Sequence, residues 1–113
     1  MEDFLLKKYE LEPRKVSLNK VLSEVEEHYS QKDKEGLVEY LKDLHSKGYE
    51  FEYVLLDEKT SGGMKVWFTQ ITLGLYAVKG RKRNLVFKTV IEDHYVNGVL
   101  KEFRKYIKVE DSR

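Results

Sequence analysis

KVWFTQITLGLYAVKGRKRNLVFKTVIEDHYV, residues 65–96, is the stretch on which the fold turns. On both sides of Lys79-Gly80-Arg81-Lys82-Arg83-Asn84, apolar and polar residues alternate with period two, the mark of strands that have one covered face. Lys65 to Lys79 and Leu85 to Val96 are therefore predicted as antiparallel strands joined through the basic loop. Loop length decides which face each side chain takes, because a one-residue slip turns a strand over. An odd loop, Arg81 to Arg83 or Gly80 to Asn84, segregates the two sets best. It places Trp67, Ile71, Leu73, Leu75, Ala77, Leu85, Phe87, Ile91 and Tyr95 in the core. The outer face then carries Phe68, Gln70, Thr72, Gly74, Tyr76, Val86, Lys88, Val90, Glu92 and His94, with Tyr76 opposite Lys88 and Gly74 opposite Val90.

Upstream of this hairpin, Tyr49, Phe51, Tyr53 and Leu55 alternate with Glu50, Glu52 and Val54 and predict a further strand, followed by the turn signal Ser61-Gly62-Gly63. Before it the period is helical. Leu18, Val21, Leu22, Val25 and Tyr29 follow Ser17, a good N-cap, and predict an amphipathic helix over about 17–30. Leu37, Tyr40, Leu41 and Leu44 form the stripe of a second helix, with Asp33 as its cap and Gly48 where a left-handed terminal residue is wanted. The first 12 residues, with Phe4, Leu5 and Tyr9, predict a short helix that ends before Pro13. At the other end, Val99, Leu100, Phe103, Tyr106 and Ile107 read as the stripe of a closing helix capped by Asn97. The expected fold is α+β, with two N-terminal helices, an antiparallel sheet of three or more strands and a C-terminal helix.

A chain of 113 residues with 41% hydrophobic content predicts a single domain over residues 1–113. No apolar run is long enough for a membrane helix, and Glu2 and Asp3 are unlike a basic-then-apolar signal sequence, so a cytoplasmic protein is expected. Without cysteine there is no disulfide, thiolate metal site or cysteine nucleophile. No P-loop, zinc-finger spacing, dinucleotide glycine pattern or nucleophile triad is present, and no cofactor is expected. The charged set is dominated by lysine and glutamate, the composition of many thermophile proteins.

Charge is unevenly partitioned. Residues 59–91 run 33 positions without a carboxylate while carrying seven bases, Lys59, Lys65, Lys79, Arg81, Lys82, Arg83 and Lys88. Residues 1–58 hold 15 acids against 9 bases and residues 92–113 five of each, so the net +1 is the sum of −6, +7 and 0. Such a segment is the footprint of an anionic partner, most often nucleic acid. The outer face supplies the remaining elements of a single-strand site. Phe68 and Tyr76 offer stacking surfaces, Gln70 and Thr72 hydrogen-bonding groups, and Lys65, Lys79, Arg81, Lys82, Arg83 and Lys88 phosphate contacts. The expected function is binding of nucleic acid, single-stranded DNA or RNA, through the hairpin of residues 65–95.

Other readings use the same residues. A basic hairpin can enter a duplex groove, and a charged tip can simply shield a sheet edge from aggregation. Glu50, Glu52, Glu92 and His94 on one face would be the ingredients of a Mg²⁺-dependent nuclease, although their spacing matches no metal motif and non-enzymatic binding is favoured. A protein-binding or inhibitory module is the third class. Its acidic helices, with Glu24, Glu26, Glu27, Asp33, Glu35, Glu39 and Asp43, could face a basic partner or the basic hairpin of a second copy in a homodimer.

Overall fold

Ser17 and Asp33 begin the two helices by different means. The structure, a computed structural model, describes residues 14–29 and 33–109; the helix expected in the first 12 residues lies outside them. Ser17, in extended conformation, opens α1 (Leu18–His28), and its hydroxyl accepts the Lys20 N–H at 3.2 Å. Asp33 precedes α2 (Lys34–Ser46) without capping it; its carboxylate instead accepts the Tyr29 hydroxyl at 2.7 Å and ties the two helices together. Gly48 leaves α2 at φ 93°, the left-handed conformation its position called for. Among the described residues no helix is long and apolar enough to cross a membrane.

The described residues also form five strands: β1 (Arg14–Val16), β2 (Glu50–Gly62), β3 (Val66–Lys79), β4 (Lys82–Val96) and β5 (Val99–Lys108). They form one antiparallel sheet in the order β1-β2-β3-β4-β5. The apolar stripes of the helices, Val21, Val25, Leu37, Leu41 and Leu44, pack on Phe51, Leu75, Ala77, Phe87 and Ile107 of one sheet face. Farther along the same face Ile71 and Ile91 form a second buried cluster with Leu55 and Leu73. That inner face is the core, and the other face of the sheet is the outer one.

The predicted C-terminal helix is not there. Val99–Lys108 is strand β5, and the sheet has five strands. The reason lies in Asn97-Gly98, which take φ 52° and 78°. Two successive left-handed residues make the type I′ turn that matches the twist of a tight hairpin, so the chain reverses instead of coiling. The stripe was misleading because a register shift at the start of β5, between the pairs His94–Glu102 and Tyr95–Leu100, breaks the two-residue alternation. Beyond it the alternation is plain: Phe103, Lys105 and Ile107 share the face of Asp93, Ile91 and Thr89, while Glu102, Arg104, Tyr106 and Lys108 share the outer one.

The central hairpin also departs from the expected register. Lys79 pairs with Lys82, so the loop is the two-residue Gly80-Arg81, with Gly80 at φ 59° as a type II′ turn requires. Tyr76 is then opposite Leu85. A bulge shifts the ladder before Leu75 meets Phe87, and Gly74 lies opposite Lys88. The bulge allows the consecutive residues Val86 and Phe87 both to be buried in the helix-covered core. It corrects two assignments, since Leu85 is exposed on the outer face and Val86 is buried inside. Beyond the bulge the parity is the expected one: Trp67, Ile71, Leu73, Leu75, Phe87, Ile91 and Tyr95 share the inner face.

Candidate nucleic-acid interface

Neighbouring strands place their side chains about 4.8 Å apart, so the outer face of β3, β4 and β5 can be read row by row. One row runs Gly74, Lys88, Lys108 and the next Thr72, Val90, Tyr106. Above them, toward the turn, stand Tyr76 and Leu85, with Arg83 beyond. Two guanidinium groups lie over tyrosine rings here: Arg83 at 4.9 Å from the Tyr76 centroid and Arg104 at 5.3 Å from that of Tyr106. By strand spacing and rise the two stacks are about 16 Å apart, with Lys88 and Lys108 between them. Arg81 and Lys82 project from the turn at the same end and make no ion pair among the described residues. Partial burial and the nearby Glu92 carboxylate raise the Tyr106 pKa, so that hydroxyl stays protonated and able to donate.

The residues expected from the sequence separate into groups. Tyr76, Arg81, Lys82, Arg83 and Lys88 gather at the turn end of the outer face. Phe68 lies opposite His94, eight residues along β3 from Tyr76 and thus roughly 26 Å away. Lys65 is in the β2–β3 connection beyond it, at the opposite end of the sheet. Gln70 donates to Glu92 at 2.8 Å, and Thr72 lies between Asp57 and Val90. Lys79 is drawn away toward the helices. Its ammonium donates to the Lys47 carbonyl at 2.6 Å and lies over Tyr49, which occupies it at the negative end of α2.

Two of these residues are more engaged than an open platform would be. Arg83 pairs with Glu52, which lies opposite Tyr76 on β2. Gly74 does not leave its backbone open to a ligand: a Cβ built there would be 2.8 Å from Leu56, 3.0 Å from Tyr76 and 3.1 Å from Leu85. The glycine makes room for these three side chains, which converge over it.

Arg104, Tyr106 and Lys108 belong to the same face and escaped the sequence reading because they were assigned to a helix. The signal that could have found them was Asn97-Gly98, read as a hairpin turn. As a strand after such a turn, residues 102, 104, 106 and 108 fall on one face by simple alternation.

The acidic cluster envisaged for a nuclease does not assemble. Glu50 and Glu52 lie opposite Val78 and Tyr76, whereas Glu92 lies opposite Gln70 and His94 opposite Phe68. Each glutamate has its own partner: Lys15 at 3.2 Å from Glu50, Arg83 on Glu52, and Gln70 together with Arg104, at 3.5 Å, on Glu92. Among the described residues no three Asp, Glu or His side chains come together as a metal group. A cleft of about 340 Å³ beside the basic turn is lined by Lys15, Gly48, Glu50, Phe51, Glu52, Val78, Lys79 and Gly80. Its two lysines and two glutamates balance, and it offers no excess of either charge.

Comparison of the chain with protein-family models, with curated proteins and with solved structures finds no match to any of them.

Proposed function

We propose that the protein binds nucleic acid, single-stranded in preference to duplex, on the outer face of β3–β5 and the Gly80-Arg81 turn. The observation that carries the reading is the pair of guanidinium–tyrosine stacks flanking Lys88 and Lys108. Each stack presents a flat cationic plane on which an unpaired base can lie, while lysines within one or two strand spacings meet the phosphates between bases. Arg81 and Lys82 extend the positive surface past the end of the sheet. A broad sheet face with stacking planes suits splayed bases better than a duplex, whose bases are already stacked on one another.

The test is binding to labelled single- and double-stranded oligonucleotides of matched sequence across a salt series. Tighter single-strand binding, with log K falling linearly in log salt, is the expected result. No binding at low salt, or equal affinity for duplex, would sink the proposal.

A further inference from the structure

An antiparallel sheet ends in two edges, each a row of backbone N–H and C=O groups ready to pair with another strand. One edge of this sheet is β1, only three residues long. The other is β5, ten residues, and among the described residues no strand pairs with its outer side. β5 also exposes large apolar side chains near the hairpin end, Val99 at 55% and Leu100 at 41%. Neither the packing against the helices nor the cationic surface of the outer face accounts for them.

The charges along β5 select a partner. Counting outward from Phe103, Glu102 stands on one side and Arg104 on the other, then Lys101 and Lys105, then Leu100 and Tyr106, then Val99 and Ile107. We propose that β5 is a dimerisation edge, at which two copies of the chain pair antiparallel about a two-fold axis through Phe103. In that register Glu102 faces the partner's Arg104, and Arg104 faces the partner's Glu102, on the outer face. Phe103 meets its own copy on the inner face, and the regular ladder runs from Glu102 to Lys108, short of the bulge at Lys101.

Neighbouring registers are worse. Keeping the two outer faces on one side of a continuous sheet requires an axis through a residue, and moving it one position puts Glu102 opposite the partner's Glu102, or Arg104 opposite the partner's Arg104. Like charges directly opposite destabilise a sheet, and opposite charges stabilise it. The remaining unfavourable approach, Lys101 to the partner's Lys105, is relieved because Lys105 already lies 2.8 Å from Glu24. The contact is isologous, so it closes at two copies and does not propagate into a fibre.

Sedimentation velocity on nucleic-acid-free protein over a range of concentrations tests the edge independently of any ligand, with circular dichroism to verify folding. The wild-type chain is expected to sediment as a dimer. Arg104→Glu and Glu102→Arg, each placing two like-charge pairs across the axis, should each weaken dimerisation by at least about tenfold. The double variant E102R/R104E exchanges the charges and should restore it. A wild-type monomer throughout, a dimer indifferent to either single variant, or a folded double variant that stays monomeric would each overturn the proposal.

Discussion

Arg83 stands across the β3–β4 pair from Tyr76, its guanidinium carbon 4.9 Å from the ring centroid, and the same guanidinium is held by Glu52 from β2. The ring and the ion pair together hold the guanidinium over Tyr76. They also divide its charge between a protein carboxylate and any phosphate that approaches.

Removing the competing carboxylate should therefore strengthen binding. Glu52→Gln is expected to raise affinity for a single strand and to steepen the dependence of log K on log salt by about 0.7, the contribution of one released phosphate contact. The pair lies at the surface, so its loss should change stability by less than about 1 kcal/mol. Oligonucleotide titration at several salt concentrations reads both quantities. An affinity that falls would mean that Glu52 positions Arg83 more than it competes for it.

The turn and β5 should contribute separately. Arg81→Ala with Lys82→Ala removes two cations that make no ion pair among the described residues and should flatten the salt slope by about 1.4, while Lys108→Ala on β5 should flatten it by about 0.7. Lys65→Ala, at the far end of the sheet, should leave it unchanged. If Lys65→Ala has the larger effect, the ligand lies at the distal end near Phe68, and the site as drawn is wrong.

How much of this could be read in advance depended on which signals were local. The helices followed from Ser17 and their apolar stripes, and the faces of β3 followed from alternation alone. The bulge that buries Val86 with Phe87 was hidden, because two adjacent apolar residues fit either register and only the helices packed above them choose. The carboxylate-free run of residues 59–91 looked uniformly basic because a sequence shows no cross-strand neighbours. Folding sets Glu52 beside Arg83 and sends Lys79 to the end of α2. The surface that remains positive is narrower, and it includes Arg104 and Lys108, which were expected on a helix.

The β2–β3 turn offers a contrast between adjacent glycines. Gly62 has φ 125°, and a Cβ there would lie 2.3 Å from the Val66 carbonyl oxygen and 2.6 Å from the Trp67 Cα, both backbone atoms that cannot swing away. Gly63 would meet nothing within 4 Å. Gly62→Ala should cost at least about 1–3 kcal/mol, while Gly63→Ala should be close to neutral. Urea unfolding of both variants checks this, and equal midpoints would contradict the strand ending placed at Gly62.

Acid should weaken the contact between α1 and β5. Burial works to raise the Glu24 pKa, but Lys105 at 2.8 Å and Lys20 at 3.4 Å outweigh it, and the carboxyl is held below its usual value of 4.5. His28 at 3.5 Å faces the same carboxylate. With the folded-state pKa depressed, the unfolded chain takes up the proton first as pH falls. The stabilisation is complete above the unfolded-state pKa and is lost as pH drops through the folded one. The stability difference between wild type and Glu24→Gln should thus be largest near neutral pH and shrink below about pH 4.5. A difference that stays constant from neutral to acid would show that Glu24 acts through packing alone.

Leu75 and Tyr76 are consecutive on β3 and report opposite properties. Leu75 is fully buried between the helices and Phe87, so Leu75→Ala should leave a cavity and destabilise the fold by roughly 2–5 kcal/mol without touching the outer surface. Tyr76 is half-buried on the other face, where its ring adjoins Gly74 and carries the Arg83 guanidinium. Tyr76→Ala should reduce single-strand affinity by about 1–3 kcal/mol through loss of the stack and of the order it gives Arg83. Its stability cost should be the smaller of the two, since only one side of the ring is packed. Tyr76→Phe keeps the ring and should keep the affinity, which separates stacking from any role of the hydroxyl. Thermal unfolding and oligonucleotide titration on the three variants give the comparison. If Tyr76→Ala proves the more destabilising and leaves binding intact, the outer face is packed against something other than nucleic acid, and the proposed interface fails with it.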